Sequence, residues 1–178
     1  MLKIIGVIVA VIVIAIALVA IYAATKPDSF AVQRSIAIKA PPQKVFAIIN
    51  DFHGWGVWSP YENKDPAMTR SYSGAPSGEG AIYEWSGNSK VGQGRMEIID
   101  AAPSSKIVIK LDFLKPFEGH NTAEFTFAPQ GDATNVTWAM YGPARYITKV
   151  MSTVFDLDKM IGKDFEAGLA KLKVVAEK

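Results

Sequence analysis

Three periodicities divide this chain. No charge interrupts Ile4 to Ala24, a run of about 21 residues dominated by Ile, Val and Ala, and a helix of about 20 apolar residues is what crosses a bilayer. From Phe30 the pattern alternates: Val32, Ile36 and Ile38 lie between Gln33, Ser35, Ala37 and Lys39, as in a half-buried strand. Ala40-Pro41-Pro42 stops that strand, and Pro42 opens a helix carrying Val45, Phe46, Ile48 and Ile49, because Pro is favoured in the first turn and excluded from the interior. Further period-two runs fall near 69–73, 80–87, 91–102, 106–114, 121–128 and 135–141, separated by Gly, Pro and Ser clusters. Short strands between such turns predict an antiparallel meander. Helical spacing returns at Ile147, Val150, Met151, Val154 and Phe155, and again at Met160, Ile161, Phe165, Leu169, Leu172 and Ala176. These two segments read as one kinked helix or as two, the first a lid or a segment lying on the membrane surface.

Parity assigns the strand faces. Tyr83 and Trp85, Met96 and Ile98, and Ile107 to Phe113 at every second position share an inner face with Phe125, Phe127, Trp138 and Met140. Arg95, Glu97, Lys110, Asp112, Glu124 and Thr137 fall opposite, a mixed-charge set suited to a solvated face and not to catalysis. Arg34 interrupts the first strand and is read as a strand-end residue whose guanidinium reaches water, with a buried anion partner as the alternative. An apolar sheet face must be covered. The long C-terminal helix is the natural cover, with a cavity between the two.

Composition narrows the function. A net charge of +2 in 178 residues, with Lys and Arg scattered among Asp and Glu, leaves no nucleic-acid footprint. The chain contains no Cys, which removes disulfide, thiol and Cys-ligated zinc chemistry. The organisation expected is an anchor over 1–25, a tether over 26–29 and one ligand-binding domain over 30–178. A cleaved signal peptide is the alternative for the first segment, but its apolar run exceeds the usual 7 to 15 residues. Lys3 precedes that run, while Lys26 beyond it is offset by Asp28; the balance places the domain on the outer side of the cytoplasmic membrane.

A specific wording accompanies this order of elements. Ile36-Ala37-Ile38-Lys39-Ala40-Pro41-Pro42, Val45-Phe46, Asn50-Asp51-Phe52, Trp55 and Trp58-Ser59-Pro60 resemble the opening of bacterial members of the START and polyketide-cyclase-like superfamily (SRPBCC). Gly80 to Gly87 and Met160 to Leu169 resemble later parts of the same group. The resemblance implies an α+β helix-grip fold, a curved antiparallel sheet wrapped around a long C-terminal helix, here preceded by one transmembrane helix. It further implies a cavity for lipids, sterols, polyketides or other apolar molecules, in which a minority of members do chemistry.

The ligand-facing residues expected are Tyr83, Trp85, Met96, Phe113, Phe125, Trp138 and Met140 from the sheet, with Met160 and Phe165 from the terminal helix. Trp55, Trp58 and Tyr61 form either a rim over the cavity mouth or a plug in one end of the core. Asp51 with His53, or Glu118 with His120, has the composition of a base and its orienter, but both His residues lie at loops or strand ends and are read as solvent-facing. Gly92-Gln93-Gly94 lacks a dinucleotide fingerprint and reads as relief of strand crowding or a bulge. The expected function is binding or transport of a hydrophobic or amphipathic small molecule by a membrane-anchored monomer, without cofactor or metal. A cyclase, dehydratase or hydrolase using His120, Tyr83 or Glu62 is the alternative, and an interaction module with a filled core the third.

Overall fold

The structure is a computed structural model describing residues 2–178. It opens with helix α1 (Leu2–Ala24), in which every residue from Lys3 to Leu18 is exposed and only the last turn is packed, with Ala23 fully buried. Strand β1 (Ser29–Ile38) and helix α2 (Pro42–Ile49) follow, then two 3-10 turns at Phe52–Val57 and Tyr61–Asn63. Six more strands complete the sheet: β2 (Thr69–Gly74), β3 (Ala81–Ser86), β4 (Gln93–Ala102), β5 (Lys106–Lys115), β6 (Gly119–Gln130) and β7 (Ala133–Pro143). The order is β1-β7-β6-β5-β4-β3-β2, all antiparallel. Every neighbour is therefore a hairpin partner except β1, which closes on β7 from Ser29↔Pro143 to Ile38↔Thr134. Helices α3 (Tyr146–Val154) and α4 (Leu157–Ala176) are separate. An extended Phe155 ends the first, and the Asp156 carboxylate caps the second by accepting from Lys159 N.

The expected α+β helix-grip architecture is thus present. Ile98, Ile107, Ile109, Phe125 and Val136 from the sheet meet Phe165, Leu169 and Leu172 from α4 in a dry core. Small residues set how closely α4 lies. A Cβ at Gly168 would fall 2.8 Å from Pro60 Cδ and 2.9 Å from the Trp138 ring, and one at Gly162 would fall 2.0 Å from Arg34 Nη2.

Arg34 departs from the strand-end reading. It stands inside β1 and donates through Nε to Glu166 (2.8 Å) and through Nη2 to Asp158 (3.0 Å). Asp158, Gly162 and Glu166 are spaced by four on α4, so they form one stripe into which the guanidinium fits. The anion partners come from a helix more than 120 residues away in sequence, which local periodicity cannot reveal.

The Gly168 contact gives a test. Ala should favour an isolated helix by about 1 kcal/mol, yet Gly168→Ala is expected to lower stability by about 1–3 kcal/mol, because rigid rings occupy the space its methyl needs. Urea unfolding of the full chain in mild detergent measures this; a stabilised variant would show that the approach is not tight.

Candidate functional site

The interior is packed at one end and open at the other. Trp58 is fully buried, with ring centroids 6.1 Å from Phe125 and 5.7 Å from Trp138. Trp138 in turn stacks on Phe125 at 5.0 Å and on Phe165 at 4.0 Å. Trp55 is drawn under the sheet because its indole N–H donates to Ile49 O at 2.9 Å. This segment is a plug and not a free rim. Beyond it lies a cavity of about 400 Å³ between the sheet and helices α3 and α4.

Nine of the twelve residues expected to face a ligand line this cavity. Trp55, Tyr61 and Trp138 stand at its packed end, Tyr83, Trp85, Met96 and Phe113 along β3 to β5, and Met140 and Phe165 beside the helices. Trp58 and Phe125 do not line it, since the aromatic stack absorbs both. Met160 does not either: it is 54% exposed, one position out of phase with the inward stripe of Ile161, Phe165, Leu169 and Leu172. Ile147 and Met151 of α3 close the cavity from above, so the segment read as a lid covers the space. The Gly-Gln-Gly stretch relieves crowding as expected, because a Cβ at Gly94 would fall 2.4 Å from the Trp85 ring.

Several polar groups on this apolar wall are tied to fixed partners. The Glu62 carboxylate, only 9% exposed, accepts from Arg70 Nε and from the Tyr83 hydroxyl, each at 2.7 Å. Charge-assisted bonds to both oxygens offset the cost of drying a carboxylate. Burial, followed by the bond and charge of Glu62, pushes the Tyr83 hydroxyl well above its ordinary range, so Tyr83 is held as a neutral hydroxyl that donates its hydrogen bond to Glu62. Burial and the charge of Asp164 raise the Tyr61 hydroxyl likewise. Lys64 donates to Asp164 at 2.5 Å, tying the loop after the plug to α4. The sequence offered no signal for that pair, 100 positions apart. The buried Trp138 indole N–H has no acceptor among the described residues.

The two His residues differ. His53 Nδ1 lies 2.8 Å from Asp51, and the exposed ring stacks on Tyr72 away from the cavity. His120 is at the cavity rim, with Nδ1 2.7 Å from Asp112 and Nε2 3.3 Å from Glu118. Glu118 also accepts from Arg145 at 3.3 Å, which joins the start of β6 to the start of α3. His120 stands opposite Asp112 on the neighbouring strand, and it lines the cavity mouth together with Gly119, Asn121 and Ala123. Asp112 corrects the solvated-face reading: His120 and Lys110 cover it, leaving its side chain 12% exposed.

Burial raises the Asp112 carboxyl, but hydrogen bonds from His120 and Lys110 and their charges outweigh it, leaving the group below its ordinary value. A depressed folded-state value contributes stability above the unfolded value of about pH 4, lost as pH falls through the folded value. Asp112→Asn should therefore lower stability at neutral pH and make its decline below about pH 4 shallower. Urea midpoints across that range check the sign, and an unchanged acid limb would remove Asp112 from the account.

Several solved structures share the fold. A protein, CV1439, from Chromobacterium violaceum superposes with a TM-score of 0.59 at 14% identity, covering 86% of this chain and 99% of its own. The Aha1 dimer from Colwellia psychrerythraea gives 0.56 at 17% identity, covering 83% and 96%. The di-domain ARO/CYC BexL of the BE-7585A biosynthetic pathway gives 0.62 at 15% identity, covering 88% of this chain and 53% of that one. No curated protein matches the sequence. Residues 29–177, nearly everything outside α1, match the family described as polyketide cyclase / dehydrase and lipid transport, and the chain belongs to that family.

Proposed function

We propose that this protein is a membrane-anchored binder or carrier of a hydrophobic or amphipathic small molecule held in the cavity between sheet and helices. The observation that carries the reading is the cavity itself: about 400 Å³, walled by Tyr, Trp, Phe, Met and Leu side chains with a few fixed polar groups. That is the composition of a small-molecule site, in which apolar surface supplies affinity and sparse polar atoms set orientation. An open interior also favours this reading over an interaction module with a filled core. The ligand-facing set is Trp55, Tyr61, Tyr83, Trp85, Met96, Phe113, Trp138, Met140 and Phe165.

Helix α1 supplies the anchor. Its exposed apolar surface over Lys3–Ala24 has the length and composition of a single span, and none of its residues belongs to the domain core. The domain then stands on the outer side of the cytoplasmic membrane as a monomer. Deleting residues 2–24 should give a soluble, folded monomer by sedimentation, whereas the full chain should partition with membranes. Recovery of the full chain as an aqueous protein with its amino terminus intact would defeat the anchor.

A second reading is favoured by one feature, the nearly dry Glu62 engaged by Arg70 and Tyr83 on the cavity wall. A hydroxyl held against a carboxyl group on a cavity wall is the equipment of acid–base chemistry on a bound ligand, and BexL, of similar fold, is an ARO/CYC protein of a biosynthetic pathway.

Titration with fatty acids or isoprenoids should change Trp fluorescence saturably, with Trp85→Phe reducing the signal and Trp58→Phe leaving it. Ala123→Trp, which places a ring in the cavity, should weaken binding by about tenfold or more, the loss of roughly 1.4 kcal/mol. Absence of any saturable response would sink the carrier reading. If a turnover is found, a loss of about a hundredfold in Tyr83→Phe with binding retained would put the enzyme reading first.

A further inference from the structure

Helix α3 is built inside out. Its exposed residues are Tyr146, Ile147 and Val154, 53%, 41% and 62% exposed, and exposed Phe155 follows directly. Its polar residues face inward. Lys149 is buried and paired with Asp28 of the tether, while the hydroxyls of Ser152 and Thr153 donate back to Lys149 O. In a helix meeting water, those faces would be exchanged. Three directions around α3 are thus distinct: the tether on its polar side, the cavity under Ile147 and Met151, and an uncovered apolar face.

The position of that face identifies what covers it. The Tyr146 hydroxyl donates to Ala20 O at 2.9 Å, a carbonyl four residues, or about 6 Å of helical rise, inside the carboxyl end of α1. The last turn of α1 packs on α3, burying Ala23. A span whose apolar run ends at Ala24 holds Tyr146 at the boundary of headgroups and acyl chains, a level that suits a Tyr with an apolar body and a polar tip.

We infer that the uncovered face of α3, with Phe155, lies in the lipid leaflet at which α1 ends, as an interfacial helix. This rests on the reading of α1 as a retained span. An apolar helical face immersed to the depth of the headgroup–acyl boundary is a recognised mode of membrane contact, and continuity with α1 selects lipid over a protein partner. Ile147 belongs both to this face and to the cavity lining. The cavity roof is therefore in contact with the leaflet.

The absence of Cys allows single-site labelling of the full chain in phosphatidylcholine vesicles. Val154→Cys is compared with Val11→Cys in the middle of α1 and Lys171→Cys on the exposed side of α4, each carrying an environment-sensitive fluorophore. The label at 154 should be quenched by nitroxide-bearing lipids and lose its quenching by aqueous iodide, as at 11 and unlike 171. If 154 behaves like 171 while 11 is lipid-quenched, the anchor stands and the docking face is wrong. If 11 is itself quenched by iodide, anchor and docking face fall together. Shielding of 154 from iodide without lipid quenching would mean that a second copy or another protein covers the face, and would equally overturn the inference.

Discussion

The distance between α4 and the sheet governs the rest of the interior. Gly162 and Gly168 let the helix settle against Arg34 on one side and against Pro60 and Trp138 on the other. At that distance Phe165 lies nearly parallel to Trp138, with 10° between the planes, and Trp58 and Phe125 complete a closed aromatic stack. Rings packed in this way leave no room for a ligand at that end. The volume that the curved sheet encloses remains between β3 to β5, α3 and the first turns of α4. Cavity and stack are two consequences of one approach distance.

The cavity is kept apolar without being featureless. Two sets of charged side chains on its wall are tied to partners: Glu62 with Arg70 and Tyr83, and Lys64 with Asp164. An unpaired charge there would be neutralised by a pKa shift or hydrated by water drawn inward. Pairing leaves the charges fixed and spares the apolar wall that a hydrophobic guest needs. The same pairs connect the loop after the plug to β2, β3 and α4, so the polar positions of the cavity also hold its walls in register.

Much of this was legible in the chain because alternation and helical phase act between near neighbours. The inner faces of β3 to β7 follow from parity at Tyr83, Trp85, Met96, Ile109, Phe125 and Trp138, all buried. The long helix follows from the spacing of Phe165, Leu169 and Leu172. What parity cannot supply is a partner from a distant element. Arg34 looked like a strand-end residue until Asp158 and Glu166 were brought over it, and Asp112 looked solvated until register placed His120 across from it. Trp58, Phe125 and Met160 lie off the cavity for a different reason. Apolar character marks a residue as wanting cover, but whether it meets a cavity, a packed stack or the outside depends on its phase, and one position on a helix is a rotation of about 100°.

Helix α3 shows most sharply why amphipathicity alone leaves orientation open. Its sequence has a polar arc, Thr148, Lys149, Ser152 and Thr153, and an apolar arc, Tyr146, Ile147, Val150, Met151 and Val154, and a core-seeking helix would turn the second inward. The tether prevents this. Lys149 is held by Asp28, and Ala144 N donates to Asp28 O at 2.7 Å, so the residues that join α1 to β1 fix the rotation of α3. Only part of its apolar arc then reaches the cavity, through Ile147 and Met151, and the remainder faces away. The short segment between α1 and β1 thus couples the last turn of the apolar helix to the rotation of the helix that roofs the cavity.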